Sequence, residues 1–419
     1  MKTEKYSNEF LGETYYKINH KSGLTVYVMP KENMKSCYAV FGTDYGSVDT
    51  KFAVKGESLT SVPEGIAHFL EHKLFESEEL DAFELYSKTG ANANAYTSFD
   101  KTCYLFSCTD NFDSSLKILL DFVKHPYFTQ ETVEKEQGII GQEIKMYQDN
   151  PEWQVLFGLL KALYHKNPVR IDIAGTVESI AQINAELLYR CYDTFYNLSN
   201  MVLAVTGNVT PEQVIKTVDE NIKAETPVEI IRETEEEPWE IVTDYCEKDM
   251  HVEIKKFNLG FKERIPENPL KYSVAVSVAF ELICGKTTDF YDELMKDGLI
   301  NSEFGTEFFR GRGFAVNIFA GESESPEEVK KRIIERLSFL KENGVDKTEF
   351  EAVRRKKYGS EVKCFNDIET LAGALVSMHF ENYGLFDVFE VYRNLKKEDI
   401  DKVIRESFDE SVCALSVIK

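Results

Sequence analysis

The clearest chemical signal in the sequence lies between Glu64 and Phe75, a stretch that contains the pattern His-x-x-Glu-His. On a helix, His68, Glu71 and His72 would fall within an arc of about 100°. Two imidazoles one turn apart can bind a single zinc ion, and a neighbouring carboxylate can reach a metal-bound water. The pattern reverses the His-Glu-x-x-His metalloprotease motif and predicts a metal-binding helix. A solvated polar face or a satisfied buried pair is the alternative.

A third ligand must come from elsewhere, because a catalytic zinc ion takes three protein ligands and leaves the fourth position to water. The stretch from Glu131 to Asp149 is predicted to be a helix. Glu136 and Glu143 share one face of it, since their spacing is almost two turns. Glu143 is the candidate ligand, and Glu136 is better placed to orient a ligating imidazole. Glu71 then remains as the general base, although two glutamates alone would suit an ordinary charged surface.

Length and charge limit what the chain can be. Its 419 residues favour two domains of about 200 residues each. A net charge of -23 argues against nonspecific binding to nucleic acid or anionic membranes, which need basic surfaces. No run has the length of a membrane-spanning helix, and the N-terminus lacks signal-peptide features. The eight scattered cysteines include no Cys-x-x-Cys, so a cytoplasmic protein with reduced thiols is predicted.

The organisation predicted for the chain is two similar α+β halves. Residues 225–240 are acidic and contain two prolines, which makes them the best linker candidate between domains at 1–224 and 241–419. The segment GQEIKMYQD at 141–149 resembles GSEVKCFND at 359–367. A duplicated unit explains this likeness most simply.

The two copies differ in the residues that could bind metal. Glu361 stands opposite Glu143, but Arg354 stands opposite Glu136. The only counterpart of the metal-binding stretch is the apolar run at 278–284, which has no histidine. Only the first half is therefore predicted to bind a metal ion.

On these motifs the chain resembles the insulinase/pitrilysin family of zinc metallopeptidases, which includes the mitochondrial processing peptidases. EGIAHFLEHKLF, from Glu64 to Phe75, matches the metal helix of the family. Glu136 and Glu143 match its downstream pair of glutamates, and GANANAYTSFDKT at 90–102 matches the strand after the metal helix. The likeness covers essentially the full length and is strongest to the smaller bacterial members, some of which occur as gene-paired, peptidase-like proteins.

The resemblance assigns a role to each residue of the motif. It implies that His68, His72 and Glu143 bind one zinc ion per chain. It makes Glu71 the catalytic base and Glu136 the partner of a ligating histidine. The implied activity is that of a zinc endopeptidase that cuts peptides or unfolded polypeptide segments.

The resemblance also implies how substrate and fold are arranged. Asn94 and Ala95 would lie on an edge strand that pairs with an extended substrate. The fold would be two similar α+β sandwiches that form half of a clamshell. In the family a closed chamber takes four such units, which are fused in one chain or brought together from two chains.

One stretch departs from the family pattern. Many relatives carry an Arg and a Tyr around a Gly-Leu in the second half, and these help to fix the substrate. The comparable stretch here, at 293–301, has neither residue. A partner chain is expected to supply these contacts, so a homodimer or a heterodimer with a related chain is predicted. The alternative function is a weakly active or non-proteolytic binding subunit of such a pair.

Overall fold

The computed structural model describes residues 1–78 and 81–419, which fold into two compact units. Unit 1 comprises residues 1–144, 172–233 and 362–385, and unit 2 comprises the remainder. Each unit is a mainly antiparallel sheet with helices packed on it, so the predicted α+β class is confirmed. No helix among the described residues combines the length and apolar character needed to cross a membrane.

The strands fall into three sheets. In chain order they are β1 (Lys2–Asn8), β2 (Glu13–Asn19), β3 (Thr25–Pro30), β4 (Cys37–Thr43), β5 (Lys51–Val54), β6 (Thr60–Ser61), β7 (Asn92–Thr97), β8 (Thr102–Cys108), β9 (Met201–Gly207), β10 (Ile230–Arg232), β11 (Tyr245–Lys248), β12 (Lys256–Lys262), β13 (Gly305–Gly311), β14 (Phe314–Glu322) and β15 (Cys413–Ile418). Unit 1 has a seven-stranded sheet, β1-β2-β3-β9-β4-β8-β7, and a small sheet, β10-β5-β6. Unit 2 has the five-stranded sheet β11-β15-β12-β14-β13.

Several of the helices begin at a side chain that caps their first turn. In chain order the helices are α1 (Ile66–Leu74), α2 (Ala82–Thr89), α3 (Phe112–Lys124), α4 (Gln130–Gln148), α5 (Pro151–Leu163), α6 (Val177–Ile180), α7 (Ala185–Phe195), α8 (Pro211–Asn221), α9 (Pro269–Cys284), α10 (Asp289–Lys296), α11 (Pro326–Asn343), α12 (Lys347–Cys364), α13 (Ile368–Glu381), α14 (Asp387–Asn394) and α15 (Lys397–Glu406). At the start of α8, for example, Thr210 accepts a hydrogen bond from the Gln213 N–H, and Pro211 takes the first helical position.

The strand order confirms the predicted duplication. The five strands β3-β9-β4-β8-β7 of unit 1 repeat the order β11-β15-β12-β14-β13 of unit 2. In both sets the first pair is parallel and the other pairs are antiparallel. The central strands β4 and β9 are buried along their whole length because both faces of the sheet are covered.

Each unit takes one helix from the other half of the sequence. Residues 145–171, which contain α5, belong to unit 2, and residues 362–385, which contain α13, belong to unit 1. In unit 1, α13 packs on β4, where a side chain at Gly42 would meet Val376 at 3.1 Å. In unit 2, α5 packs on β12, where a side chain at Gly260 would meet Leu159 at 2.7 Å. Glycine in the strand therefore lets the helix approach each sheet closely.

The predicted linker at 225–240 is anchored at two points. In unit 1, β10 pairs with β5, and Arg232 donates through Nε to Asp49 Oδ1 at 2.9 Å. In unit 2, the Glu237 carboxylate accepts hydrogen bonds from the backbone N–H groups of residues 165–167, at 2.7 to 2.8 Å. The domain bounds 1–224 and 241–419 stay a prediction. The compact units differ from these bounds because residues 145–171 belong to unit 2 and residues 362–385 belong to unit 1.

The packing of α13 in unit 1 can be tested through the pH dependence of stability, because this helix carries His379. Tyr27 Oη and His379 Nδ1 lie at hydrogen-bond distance, 3.3 Å apart. Burial, with a smaller effect from the charge of Lys17, lowers the pKa of His379 to about 4. The unfolded chain has an ordinary histidine pKa of about 6.5 and therefore binds a proton that the folded chain does not, so this histidine makes stability fall as the pH drops from about 6.5 to about 4.

His379→Gln should therefore weaken the loss of stability between pH 7.5 and pH 5.5, measured by urea unfolding. The matched control is His125→Gln, which removes an exposed histidine directly after α3. A variant that loses stability on acidification as steeply as the parent would contradict a neutral, buried His379.

Candidate metal centre

Helix α1 is a core helix that carries ionisable residues. All of its residues except His72 are buried, so it packs against protein on nearly every side. It begins after Gly65, whose φ of 87° lies in the left-handed region. A side chain at Gly65 would come within 2.4 Å of the Ala174 carbonyl oxygen, so glycine allows the neighbouring chain to close over the helix start.

Three predicted ligands converge between α1 and α4. His68 Nε2 lies 3.6 Å from Glu143 Oε1, and His72 Nε2 lies 3.4 Å from Glu143 Oε2. The ligand atoms of the three residues all lie within 4.8 Å of one another, and no other such group of His, Cys, Asp or Glu occurs in residues 1–78 and 81–419.

The separations fit a shared metal ion better than direct hydrogen bonds. Hydrogen bonds between a nitrogen and an oxygen cluster near about 2.9 Å. In a tetrahedral zinc site with bonds of about 2.0 to 2.2 Å, neighbouring ligand atoms lie about 3.3 to 3.5 Å apart. The two imidazole-to-carboxylate distances of 3.4 and 3.6 Å match the second arrangement, and two nitrogens with one carboxylate are a donor set that zinc accepts.

Glu136 orients one of the two imidazoles. Its Oε1 lies 3.0 Å from His72 Nδ1, and a carboxylate there can only accept, so the proton is assigned to Nδ1. The lone pair of His72 Nε2 is then directed at Glu143. Burial lowers the pKa of His72, but the hydrogen bond that His72 donates to Glu136 and the charges of Glu71, Glu143 and Glu136 outweigh burial and leave that pKa raised.

His68 is held differently. The residue is 8% exposed, and Nδ1 is buried without a hydrogen-bond partner among the described residues. Packing within α1 and the nearby ring of His72, with centroids 4.6 Å apart, therefore fix its orientation. The site thus has one imidazole oriented by a carboxylate and one oriented by packing.

A buried lysine supports the carboxylate that orients His72. Lys73 is 0% exposed, and its ammonium group pairs with the carboxylate of Glu76. Burial raises the pKa of Glu136, but its hydrogen bond with His72 and the charges of His72 and Lys73 outweigh burial and lower that pKa. Lys73 therefore helps to keep Glu136 ionised. The sequence offered only one signal for this, a lysine directly before the apolar pair Leu74 and Phe75.

The predicted base is also held by a neighbour that the sequence reasoning missed. Glu71 is 8% exposed, and Thr97 Oγ1 donates to its Oε2 at 2.9 Å. Thr97 is the last residue of β7, within the stretch that resembles the family strand. Its hydroxyl fixes one carboxylate oxygen of Glu71 and leaves Oε1 without a hydrogen-bond partner among the described side chains.

Strand β7 presents one open edge. It is the last strand of the seven-stranded sheet and pairs only with β8. In an antiparallel pair, the backbone N–H and C=O groups of successive residues point alternately toward and away from the partner strand. The hydrogen bond from Ser98 N–H to the Lys101 carbonyl fixes which residues point toward β8. The backbone groups of Asn94 therefore point toward β8, and those of Ala95 point toward the open edge. The outward N–H of Ala95 donates to the Asn94 side chain at 2.9 Å. The two predicted substrate-binding residues therefore play different parts at this edge, and their role in binding stays a prediction.

The matching positions in unit 2 do not form a metal site in the described structure. Helix α9 carries the apolar run at 278–284 and has no histidine. On α12, Arg354 donates to the backbone carbonyls of Tyr392 and Arg393 at 3.3 and 3.2 Å. Glu361 has a raised pKa because it is buried. These residues serve packing and helix anchoring, in keeping with the prediction that only the first half binds metal.

Comparisons with known proteins agree with this division. The family profile described as Insulinase (Peptidase family M16) matches residues 58–177, and the profile described as Peptidase M16 inactive domain matches residues 182–357. A protein of Bacillus subtilis (strain 168) named uncharacterized zinc protease YmfH is 42% identical over 407 residues, which are 95% of each chain.

Two further similarities extend the comparison. The mitochondrial-processing peptidase subunit beta of Caenorhabditis elegans is 33% identical over 162 residues, which are 36% of this chain and 34% of that protein. The crystal structure of an M16-like peptidase from Alicyclobacillus acidocaldarius matches with a TM-score of 0.93 and 34% identity, over 97% of this chain and 98% of that one. The fold is therefore shared with this peptidase structure over nearly the whole length.

Metal analysis tests the ligand set. Purified protein should hold about one zinc ion per chain. Losing a residue that only orients a metal ligand typically weakens metal affinity about 10- to 100-fold. Glu143→Gln removes an anionic ligand itself, so it should weaken zinc affinity by at least this factor. Glu361→Gln makes the same change at the matching position of unit 2 and should leave zinc content unchanged. Equal zinc loss in both variants would contradict the assignment of Glu143.

Proposed function

Because the chain belongs to the insulinase family, peptidase family M16, we propose that it is a zinc-dependent endopeptidase that acts on peptides or unfolded polypeptide segments. The observation that supports this proposal best is the convergence of His68, His72 and Glu143 beside a restrained Glu71. A zinc ion held by the three side chains would supply a Lewis acid for the peptide carbonyl and lower the pKa of a bound water.

Glu71 performs the proton transfers in this proposal. Thr97 occupies Oε2, so Oε1 accepts the proton that the attacking water gives up as its oxygen bonds to the carbonyl carbon. The same oxygen then gives the proton to the amide nitrogen as the carbon–nitrogen bond breaks. Water is consumed, and a carboxyl group and an amine are formed, so the two transfers restore Glu71 to its starting state.

The substrate backbone is proposed to lie along the open edge of β7. An extended peptide there would add a strand next to Ala95, whose N–H now bonds only to the Asn94 side chain. The peptide carbonyl would replace the Asn94 amide as the acceptor. This mode recognises main chain more than side chains, which suits a peptidase for unfolded segments.

A second candidate function is a peptide-binding subunit with little or no activity of its own. It is favoured by the stretch at 293–301, which lacks the Arg and Tyr that the resemblance would place there. The match of residues 182–357 to the M16 inactive domain describes the second half alone, so it fits both candidates. The cytoplasmic location stays a prediction, which cell fractionation would test.

Glu71→Gln separates the two candidates. Glutamine keeps the size of the side chain and its acceptance of the Thr97 hydroxyl, but it does not take up a proton. Zinc content should therefore stay at the parental level while cleavage of a mixed peptide library falls about 10²- to 10⁴-fold. Glu361→Gln, in unit 2, is the matched control and should cleave like the parent. Near-parental cleavage by Glu71→Gln would show that Glu71 is not the base.

We further propose that the chain works as part of a pair, a homodimer or a heterodimer with a related chain that lacks the zinc ligands. The Caenorhabditis elegans relative is itself named as a subunit. Hydrolysis at a metal gains from a site that excludes bulk water, and a second chain could also supply the substrate contacts that 293–301 lacks.

Light scattering and dilution test the pairing. The homodimer should have about twice the 48.1 kDa mass of one chain, and its specific activity should fall when dilution separates the two copies. For a heterodimer, activity should rise when the related chain is added. A monomer whose specific activity is independent of concentration and of added relatives would overturn the proposed pairing and leave the peptidase proposal intact.

A further inference from the structure

Unit 2 contains a cavity that the metal centre does not use. Its volume is about 660 Å³, within the range of small-molecule sites. It lies between the start of α9 and the end of α15 and is bounded by the loop that follows β12. Glu263, Tyr272 and Ser407 are among its polar groups, and Ala275 and Val403 are among its apolar ones.

Glu263 is a carboxyl group surrounded by neutral donors. Its Oε1 accepts from the Asn317 amide at 2.9 Å and from the Phe408 N–H at 3.2 Å, and its Oε2 accepts from Tyr272 Oη at 3.0 Å. No lysine, arginine or histidine forms an ion pair with it in the described parts of the chain. Burial raises its pKa to about 7, against the opposing effect of these hydrogen bonds.

The adjacent basic residue points elsewhere. The Lys262 ammonium lies 3.1 Å from Glu237 Oε1 and donates to the carbonyls of Leu163 and Pro238 at 3.0 and 2.7 Å. Its charge is therefore already satisfied. Oε1 of Glu263 already accepts two hydrogen bonds, whereas Oε2 accepts one from Tyr272 and keeps a second lone pair for a cationic ligand.

The duplicated fold shows that this space can be filled. In unit 1 the residue that ends α7, Phe195, stacks on Tyr45 with centroids 4.0 Å apart and also contacts Phe52 at 4.6 Å. The matching residue of unit 2 is Ser407, which follows α15 and, like Phe195, precedes a short 3-10 helix and the last strand of the repeat. Serine in place of the aromatic ring, with a direct connection from β12 to α9, leaves the cavity open.

The charges around the cavity favour a cationic ligand. Of its basic residues, Lys271 pairs with Asp399 at 2.9 Å, and Lys402 lies 3.8 Å from Glu406. The Arg264 guanidinium lies 4.6 Å from the centre of the Trp239 ring, so Arg264 is held by a cation–π interaction with the indole. The chain as a whole carries a net charge of -23, which also attracts cations.

From this geometry we propose that the cavity of unit 2 binds a small organic cation. A protonated primary amine bonds to Glu263, and an apolar or aromatic body lies against Ala275, Val403 and the ring of Tyr272. The cavity is proposed as a binding site, and no reaction is assigned to it. It is independent of the zinc ligands, all of which belong to unit 1.

A matched pair of probes tests the proposal on the full chain. Phenethylamine and 2-phenylethanol share an apolar body, and only the first carries a cation. At pH 8, above the pKa of Glu263, calorimetry or ligand-observed NMR should show phenethylamine binding at least about tenfold more tightly than the alcohol, because charge-assisted hydrogen bonds are the stronger ones. No detectable phenethylamine binding at about 10 mM, or equal binding of both probes, would overturn the proposal.

Three variants locate the probe. Glu263→Gln should weaken phenethylamine binding about tenfold or more, and Glu267→Gln, which removes another carboxylate of the lining, should change it by less than about twofold. Ser407→Phe places the aromatic ring of unit 1 in the cavity and should abolish binding of both probes, while far-UV circular dichroism checks that each variant is folded. Parental affinity in either Glu263→Gln or Ser407→Phe would overturn the assignment, and one folded variant of the two suffices to decide it.

Discussion

The need to neutralise charges on a buried helix organises unit 1. Helix α1 packs on nearly every side, yet four of its nine residues carry imidazole, carboxylate or ammonium groups: His68, Glu71, His72 and Lys73. A buried charge without a partner costs far more than a hydrogen bond contributes, so every such group must be met by another element. Helix α4 supplies Glu136 and Glu143, β7 supplies Thr97, and the segment after α1 supplies Glu76.

The second unit shows the same framework without that requirement. Helix α9 occupies the place of α1, and its buried positions are apolar throughout. Its neighbour α12 has therefore been free to lose the orienting glutamate, and Arg354 there caps backbone carbonyls instead. One copy of the duplicated fold therefore gathers ionisable groups around α1. The other copy has an apolar helix at that place, and its polar cavity lies between α9 and α15.

Spacing along single helices was enough to predict much of the site from the sequence. His68, Glu71 and His72 lie on one face of α1. The seven-residue step from Glu136 to Glu143 likewise places both carboxylates on one face of α4. Helical periodicity therefore predicts each of these two groups of residues. Thr97 and the Lys73–Glu76 pair depend on contacts between elements, which no local period encodes. The acidic composition of 225–240 predicted a linker, but charge alone does not reveal that Glu237 accepts three backbone hydrogen bonds.

The exchange of α5 and α13 bears on the history of the chain. A single repeat would leave one sheet face without its covering helix, and that face includes the glycine positions that fit only a close neighbour. An ancestor that consisted of one repeat would have had to borrow the helix from a second copy of itself, as an intertwined homodimer. For the same reason, genes cut at 225–240 would encode two fragments that each lack a cover, and co-expression would be required to restore either one.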